Sequence, residues 1–134
     1  MGVINGNCTC AKVEFEVLDE FLYAGYCHCS LCRKSSGASG VAIGGIAKQK
    51  FTILKGDNYL QQFSRSAETV TCFCSHCGST LYGEKPNVGL IHIRYGALNS
   101  CPTLLPQAHM HVASKADWYQ ILDDLPQFSE FPPR

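Results

Sequence analysis

The densest chemistry in the chain is the stretch Tyr26-Cys27-His28-Cys29-Ser30-Leu31-Cys32-Arg33-Lys34. On an extended backbone, side chains two positions apart point to the same side, so Cys27 and Cys29 can converge. The gap from Cys29 to Cys32 is the spacing of a tight metal-ligand turn. Three soft donors aimed at one point suit zinc, and their number decides its role. A closed structural zinc takes four protein ligands, whereas a catalytic zinc keeps one position open. From this stretch alone the two readings stand level, since His28 or a distant cysteine could supply a fourth ligand.

The remaining thiols bear on that choice. Cys8-Thr9-Cys10 and Cys74-Ser75-His76-Cys77-Gly78 each offer two donors, and Cys72 and Cys101 are left over. Two plus two makes a closed tetrahedral site tying the start of the chain to its middle. That allocation leaves Cys27, Cys29 and Cys32 with an open zinc, a place for an incoming thiolate whose pKa the metal would lower. Cys27/Cys29 joined to Cys74/Cys77 is the competing allocation, and spacing alone leaves it open. Cys74-x-x-Cys77 as a redox pair lacks the βαβ setting such pairs occupy. Cys72, alternating with Cys74, is expected in the core, and Cys101 before Pro102 in a loop. His28 and His76 are expected to be solvated or supporting groups, and His92, His109 and His111 to lie on strand faces. Lys48, Lys50, Arg65 and Lys115 read as ordinary surface charges. Arg33 and Lys34 follow the trio directly and are placed to meet a substrate carboxylate.

These residues need strands to hold them. Val13, Phe15 and Val17 alternate with Lys12, Glu14 and Glu16, the pattern of a half-buried strand. Further strands are expected at 21–26, at 41–43 and 51–54 around Gly44-Gly45, at 59–64, 69–73, 80–82 and 88–95, and at 109–112. A short helical turn is expected at 31–36. The Pro-bearing tail from Leu125 to Arg134 is expected to run over the surface. Short strands with turn signals and no long helical period predict a mainly β fold, with short antiparallel strands in packed sheets and little helix.

Composition narrows the function classes. Lys+Arg and Asp+Glu stand at 11 each, so the formal net charge is zero. That argues against broad charge-driven binding to nucleic acid or membrane. Nine cysteines, an odd number at one- and two-residue gaps, fit metal binding in a reducing compartment better than a disulfide framework. The first residues carry no basic region followed by an apolar run, and no apolar stretch approaches the length of a membrane span. The expectation is one domain over 1–134 in the cytoplasm.

Taken together, these motifs resemble the glutathione-dependent formaldehyde-activating (Gfa) family, zinc proteins of the Mss4-like fold. The resemblance rests on Cys8-x-Cys10, on Cys27-His-Cys-Ser-Leu-Cys32-Arg33-Lys34 with Gly37-Ala38 behind it, and on Phe73-Cys74-x-x-Cys77-Gly78-Ser79. It extends through Ser114-Lys115-Ala116-x-Trp118-Tyr119 to Asp124-Leu125-Pro126-Gln127-Phe128. It implies two zinc ions per chain, a structural one on Cys8, Cys10, Cys74 and Cys77 and a catalytic one on Cys27, Cys29 and Cys32. It also implies glutathione as co-substrate and a carbon–sulfur lyase-type reaction joining it to formaldehyde or another small aldehyde. Ala11 departs from the family's usual Gly, and Cys72 is an extra thiol. Two other readings compete: a glutathione- or zinc-binding carrier without chemistry, and an Mss4-like protein-interaction module. Methionine sulfoxide reduction, a further activity of the superfamily, would need Cys72 or Cys101 as its reactive thiol.

Overall fold

Two sheets, antiparallel but for one pair of strands, hold the two thiol groups. The computed structural model describes residues 2–132, so expectations for Met1, Pro133 and Arg134 lie outside the described residues. In chain order the elements are β1 (Val3–Asn7), β2 (Glu14–Leu18), β3 (Tyr23–Cys27), α1 (Ser30–Ser36), β4 (Val41–Ala47) and β5 (Phe51–Lys55). Then follow β6 (Leu60–Ser64), β7 (Val70–Cys74), β8 (Thr80–Lys85), β9 (Leu90–Arg94) and β10 (His109–Met110). The small sheet has the order β1-β2-β5 and the large one β10-β3-β4-β9-β8-β7-β6. The fold is mainly β, as the patterning predicts.

Alternation explains the packing. Phe15 and Val17 of β2 and Ile93 of β9 are wholly buried, and Ile91 nearly so, while the residues between them are partly exposed. With Ile46, Leu81 and Val13 they form the main core between the sheets. Burial of this kind stabilises by about 25 cal/mol per Å² of apolar surface removed from water.

Three features differ from the sequence reading. Gly44 and Gly45 do not interrupt a strand; β4 runs through them. A Cβ at Gly44 would strike the rings of Tyr95 and Phe21, and one at Gly45 the ring of Tyr23. The glycines therefore make room for aromatic rings packed close against the strand, those of Phe21 and Tyr95 meeting edge to face at Gly44. β1 was not expected, because Asn5, Gly6 and Asn7 are poor strand formers; its pairing with β2, from Val3↔Leu18 to Asn7↔Glu14, holds it. The tail is tied down rather than merely laid over the surface: the His109 N–H donates to the Pro126 carbonyl and the Phe128 N–H to the His109 carbonyl. β10 itself pairs in parallel with β3, setting Met110 beside Cys27.

Candidate metal centres

Each thiol group is assembled by strand ends. In the first, Cys8 and Cys10 follow β1, while Cys74 closes β7 and Cys77 lies in the turn beyond it. The four sulfurs lie within 4.8 Å of one another. Cys8 Sγ is 3.6 Å from Cys10 Sγ, and Cys10 Sγ is 3.8 Å from Cys74 Sγ. Sulfurs at about 2.3 Å from a central ion at tetrahedral angles would be about 3.8 Å apart, so the donor set fits one metal ion. The local chain is shaped to this end. Gly78 takes φ +81° in the turn, and its N–H donates to the Cys74 carbonyl. The Val13 N–H donates to Cys8 Sγ at 3.3 Å. The Ser79 hydroxyl lies 3.2 Å from Cys77 Sγ and, with the Ser79 backbone N–H, helps hold that thiol down at about 5. Ser79 also accepts from the Thr9 N–H, tying the two ligand loops together.

The second group comes from the end of β3 and the start of α1. Cys27 ends the strand, Cys29 caps the helix, and Cys32 sits in its first turn, 3% exposed. Cys29 Sγ accepts the Cys32 N–H at 3.3 Å, so the helix cap is itself a candidate ligand. These three sulfurs also lie within 4.8 Å of one another, and among the described residues no fourth Cys, His, Asp or Glu joins them. Hydrogen bonds from Cys27 and Cys32 hold Cys29 far below the ordinary thiol range. The same contacts push Cys27 far above it. Three sulfurs converging on one point are the soft donor set that a divalent cation such as zinc takes. The structure thus gathers the seven thiols as four and three, not as Cys27/Cys29 with Cys74/Cys77.

His28, set between two of the thiols, is not solvated. It is 2% exposed and its Nε2 lies 2.8 Å from His109 Nδ1. His109 Nε2 in turn meets both Asp123 carboxylate oxygens at 3.0 Å, and the Asp123 carboxyl is lowered by that contact. This chain of side chains pins the backbone between Cys27 and Cys29 to the C-terminal segment. His76 is exposed, as expected.

A pocket of about 50 Å³ opens beside the trio. Cys27 and Cys32 form one wall, and Arg65, Lys85, His92 and Arg94 are among the residues facing them. Arg65 is therefore not an ordinary surface charge: its Nη1 donates to Cys32 Sγ at 3.5 Å. Burial lowers its pKa, but the bond to Cys32 and the nearby thiols outweigh that and raise it. Burial lowers Arg94, and burial together with the Lys85 and Arg65 charges pulls His92 down to about 4, leaving a neutral ring. Arg33 and Lys34 follow Cys32 on α1 and do not line this pocket; Lys34 is exposed. Sequence reasoning missed the Arg65–Lys85–Arg94 set because sheet order brings it together, not sequence spacing. Of the two spare thiols, Cys72 is fully buried and raised by burial, whereas Cys101 is exposed in a loop.

The family described as glutathione-dependent formaldehyde-activating enzyme matches residues 3–114. A Halomonas elongata protein provisionally named a glutathione-dependent formaldehyde-activating enzyme is 28% identical over 127 residues, covering 89% of this chain and 81% of that one. An uncharacterized lyase of Schizosaccharomyces pombe is 29% identical over 77 residues, 58% of this chain and 54% of that one. A crystal structure of a Rhodobacter sphaeroides protein shares the fold at a TM-score of 0.61 and 22% identity, covering 74% of this chain and 91% of that one. Among the described residues, no helix is long and apolar enough to cross a membrane.

Proposed function

The chain belongs to the glutathione-dependent formaldehyde-activating enzyme family, and from that premise we propose a zinc-dependent carbon–sulfur lyase-type enzyme that joins the glutathione thiol to formaldehyde or another small aldehyde. Cys8, Cys10, Cys74 and Cys77 would hold a structural zinc; Cys27, Cys29 and Cys32 would hold a second, catalytic one. The observation that carries the reading is the second group's count: three thiols together, bordering a pocket, with no fourth protein donor among the described residues. Zinc bound there would supply a Lewis acid with a free position, lowering the pKa of an incoming thiol toward neutrality.

The chain's own residues supply placement. Met110 and Ile43 form the apolar side of the trio, while the pocket cations face its open side. Lys34, exposed on α1, and its half-buried neighbour Arg33 are proposed to meet a glutathione carboxylate at the rim. In the synthetic direction sulfur attacks the aldehyde carbon, a C–S bond forms, and the carbonyl π pair moves to oxygen, which takes up a proton. The lyase direction reverses each change. Holding thiol and aldehyde together lowers the entropic part of the barrier. All nine cysteines are free, which suits the cytoplasm, where glutathione keeps thiols reduced.

Metal content and turnover test this together. Wild type should carry two zinc ions per chain and accelerate hemithioacetal formation at substoichiometric protein, which separates an enzyme from a carrier. Cys29→Ala should carry one, bind no glutathione, and leave only the uncatalysed rate. Undiminished turnover by Cys29→Ala would sink the assignment.

A further inference from the structure

The pocket beside the trio holds more positive charge than a neutral aldehyde requires. Arg65, Lys85 and Arg94 line it, and no Asp or Glu does. Among the described residues the ion pairs are Lys48–Glu84, Lys50–Glu20, Lys55–Glu14 and His109–Asp123, so none of the three pocket cations has an acidic partner. Their present partners are a sulfur and two hydroxyls, not carboxylates: Cys32 Sγ for Arg65, the Thr69 hydroxyl at 2.9 Å for Lys85, and the Ser35 hydroxyl at 3.0 Å for Arg94. Arg65 Nε is buried and bonded to nothing. Gathering like charges in a partly buried place is costly unless an anion offsets them.

A formal count sets the size of the deficit. Three thiolates around a divalent ion carry about −1, and the three cations carry the opposite sign three times over, leaving about +2. One thiolate and one carboxylate would neutralise it. At about 50 Å³ the pocket has room for only a few waters, by the rule of about 10–15 Å³ apiece, which is the scale of a carboxylate and not of a tripeptide.

We propose that Arg65, Lys85 and Arg94 form a carboxylate-binding subsite beside Cys27 and Cys32, so that one of the two reactants carries a carboxylate close to its reacting atom. The subsite itself stands on the charge and geometry of the pocket; its link to the reactants rests on the function proposed above. The carboxylate has two possible sources, the thiol or the aldehyde. An aldehyde of the 2-oxo acid kind, such as glyoxylate, would undergo the same addition: the C–S bond forms, the π pair moves to oxygen with a proton, and the carboxylate is unchanged.

Calorimetric titration of the metal-loaded protein with propionate, 2-mercaptoethanol and 3-mercaptopropionate tests this, alongside rates with formaldehyde and glyoxylate in the presence of 2-mercaptoethanol. If the thiol carries the group, 3-mercaptopropionate should bind about tenfold more tightly than 2-mercaptoethanol, as loss of one charge-assisted bond implies. If the aldehyde carries it, glyoxylate should react about tenfold faster than formaldehyde on the same reasoning. In either case Arg94→Gln should bring the ratio close to one. Lys85→Gln, which alters no group touching the thiols, should reduce it in the same sense. Propionate binding that disappears in both variants upholds the subsite even where no thiol binds, and in that event the proposed function fails while the subsite survives. Folded, metal-loaded wild type that neither binds propionate nor prefers the carboxylated reactant in either arm overturns the inference.

Discussion

Cys8 and Cys74 are sealed in the main core with Phe15, Leu81 and Ile93, whereas Cys27 and Cys32 share a small cluster with Ile43 and Met110. The first group joins loops far apart in the chain; the second lies within one strand end and one helical turn. A metal on the first closes a long loop, so its binding energy is largely folding energy. A metal on the second adds little closure, because the α1 cap and the β3–β4 and β3–β10 pairings already hold the thiols in place. On the proposed reading the first site is closed by its protein ligands and the second is left for an incoming thiol to approach.

The largest effect follows directly. Cys74→Ala should cost on the order of 5 kcal/mol or more, since on the proposed reading it would remove the structural metal and leave the buried Cys8 thiol without it. Thermal unfolding followed by circular dichroism should show no cooperative transition, or one far below that of wild type. Cys29→Ala, by contrast, should melt within a few degrees of wild type. Equal losses in the two variants would erase the distinction between the sites.

A middle-sized effect comes from the pocket side. His92 is held at about 4 against an ordinary 6.5, first by burial and then by Lys85 and Arg65. Between those values the unfolded chain binds the proton and the folded one does not, so stability rises with pH. The contribution is fully present above about 6.5, is lost as pH falls toward 4, and changes no further below that. At about 1.4 kcal/mol per unit it amounts to roughly 3 kcal/mol at most. His92→Gln, which keeps a polar partner for the Tyr23 hydroxyl, should flatten this part of the curve in urea unfolding run from pH 4 to 7. An unchanged slope would mean that the pocket does not exclude charge on His92.

These two predictions draw on different kinds of information. The local thiol clusters Cys8/Cys10, Cys27/Cys29/Cys32 and Cys74/Cys77 were legible because ligand spacings of one and two residues are local chemistry, whereas which clusters share a metal site depends on the fold. β2 and β9 were legible because Phe15/Val17 and Ile91/Ile93 alternate with polar neighbours. The pocket was not. Arg65 follows β6, Lys85 ends β8 and Arg94 ends β9, and these elements approach the trio only through the order of the large sheet. His28 does act as a supporting group, one of the two roles its position allowed, but its partner could not be read: His109 comes from β10, whose parallel pairing to β3 has no local signature. Gly44-Gly45 looked like a break because sequence pattern shows the missing side chains but not the rings that occupy their space.

The smallest effect belongs to the closed side. Ala11 adopts φ +62° between Cys10 and the start of the second strand, and its N–H donates to the Cys8 carbonyl. This left-handed conformation costs a non-glycine residue about 1–2 kcal/mol. The family's usual glycine at this position avoids that strain, at an expense of about 0.4–1 kcal/mol in unfolded-chain entropy. Ala11 is exposed, so its methyl contributes no packing that glycine would forfeit. Ala11→Gly should therefore stabilise the metal-loaded protein by about 0.5–1 kcal/mol, raising Tm by roughly 2–4 °C for a chain of this size. Thiol binding at the distant trio should not change, since the strain relieved lies wholly in the ligand turn of the four-thiol group. A variant less stable than wild type would show that the turn needs the stiffness of alanine to present Cys8 and Cys10 together, making the closed site depend on its loop as well as on the core around it.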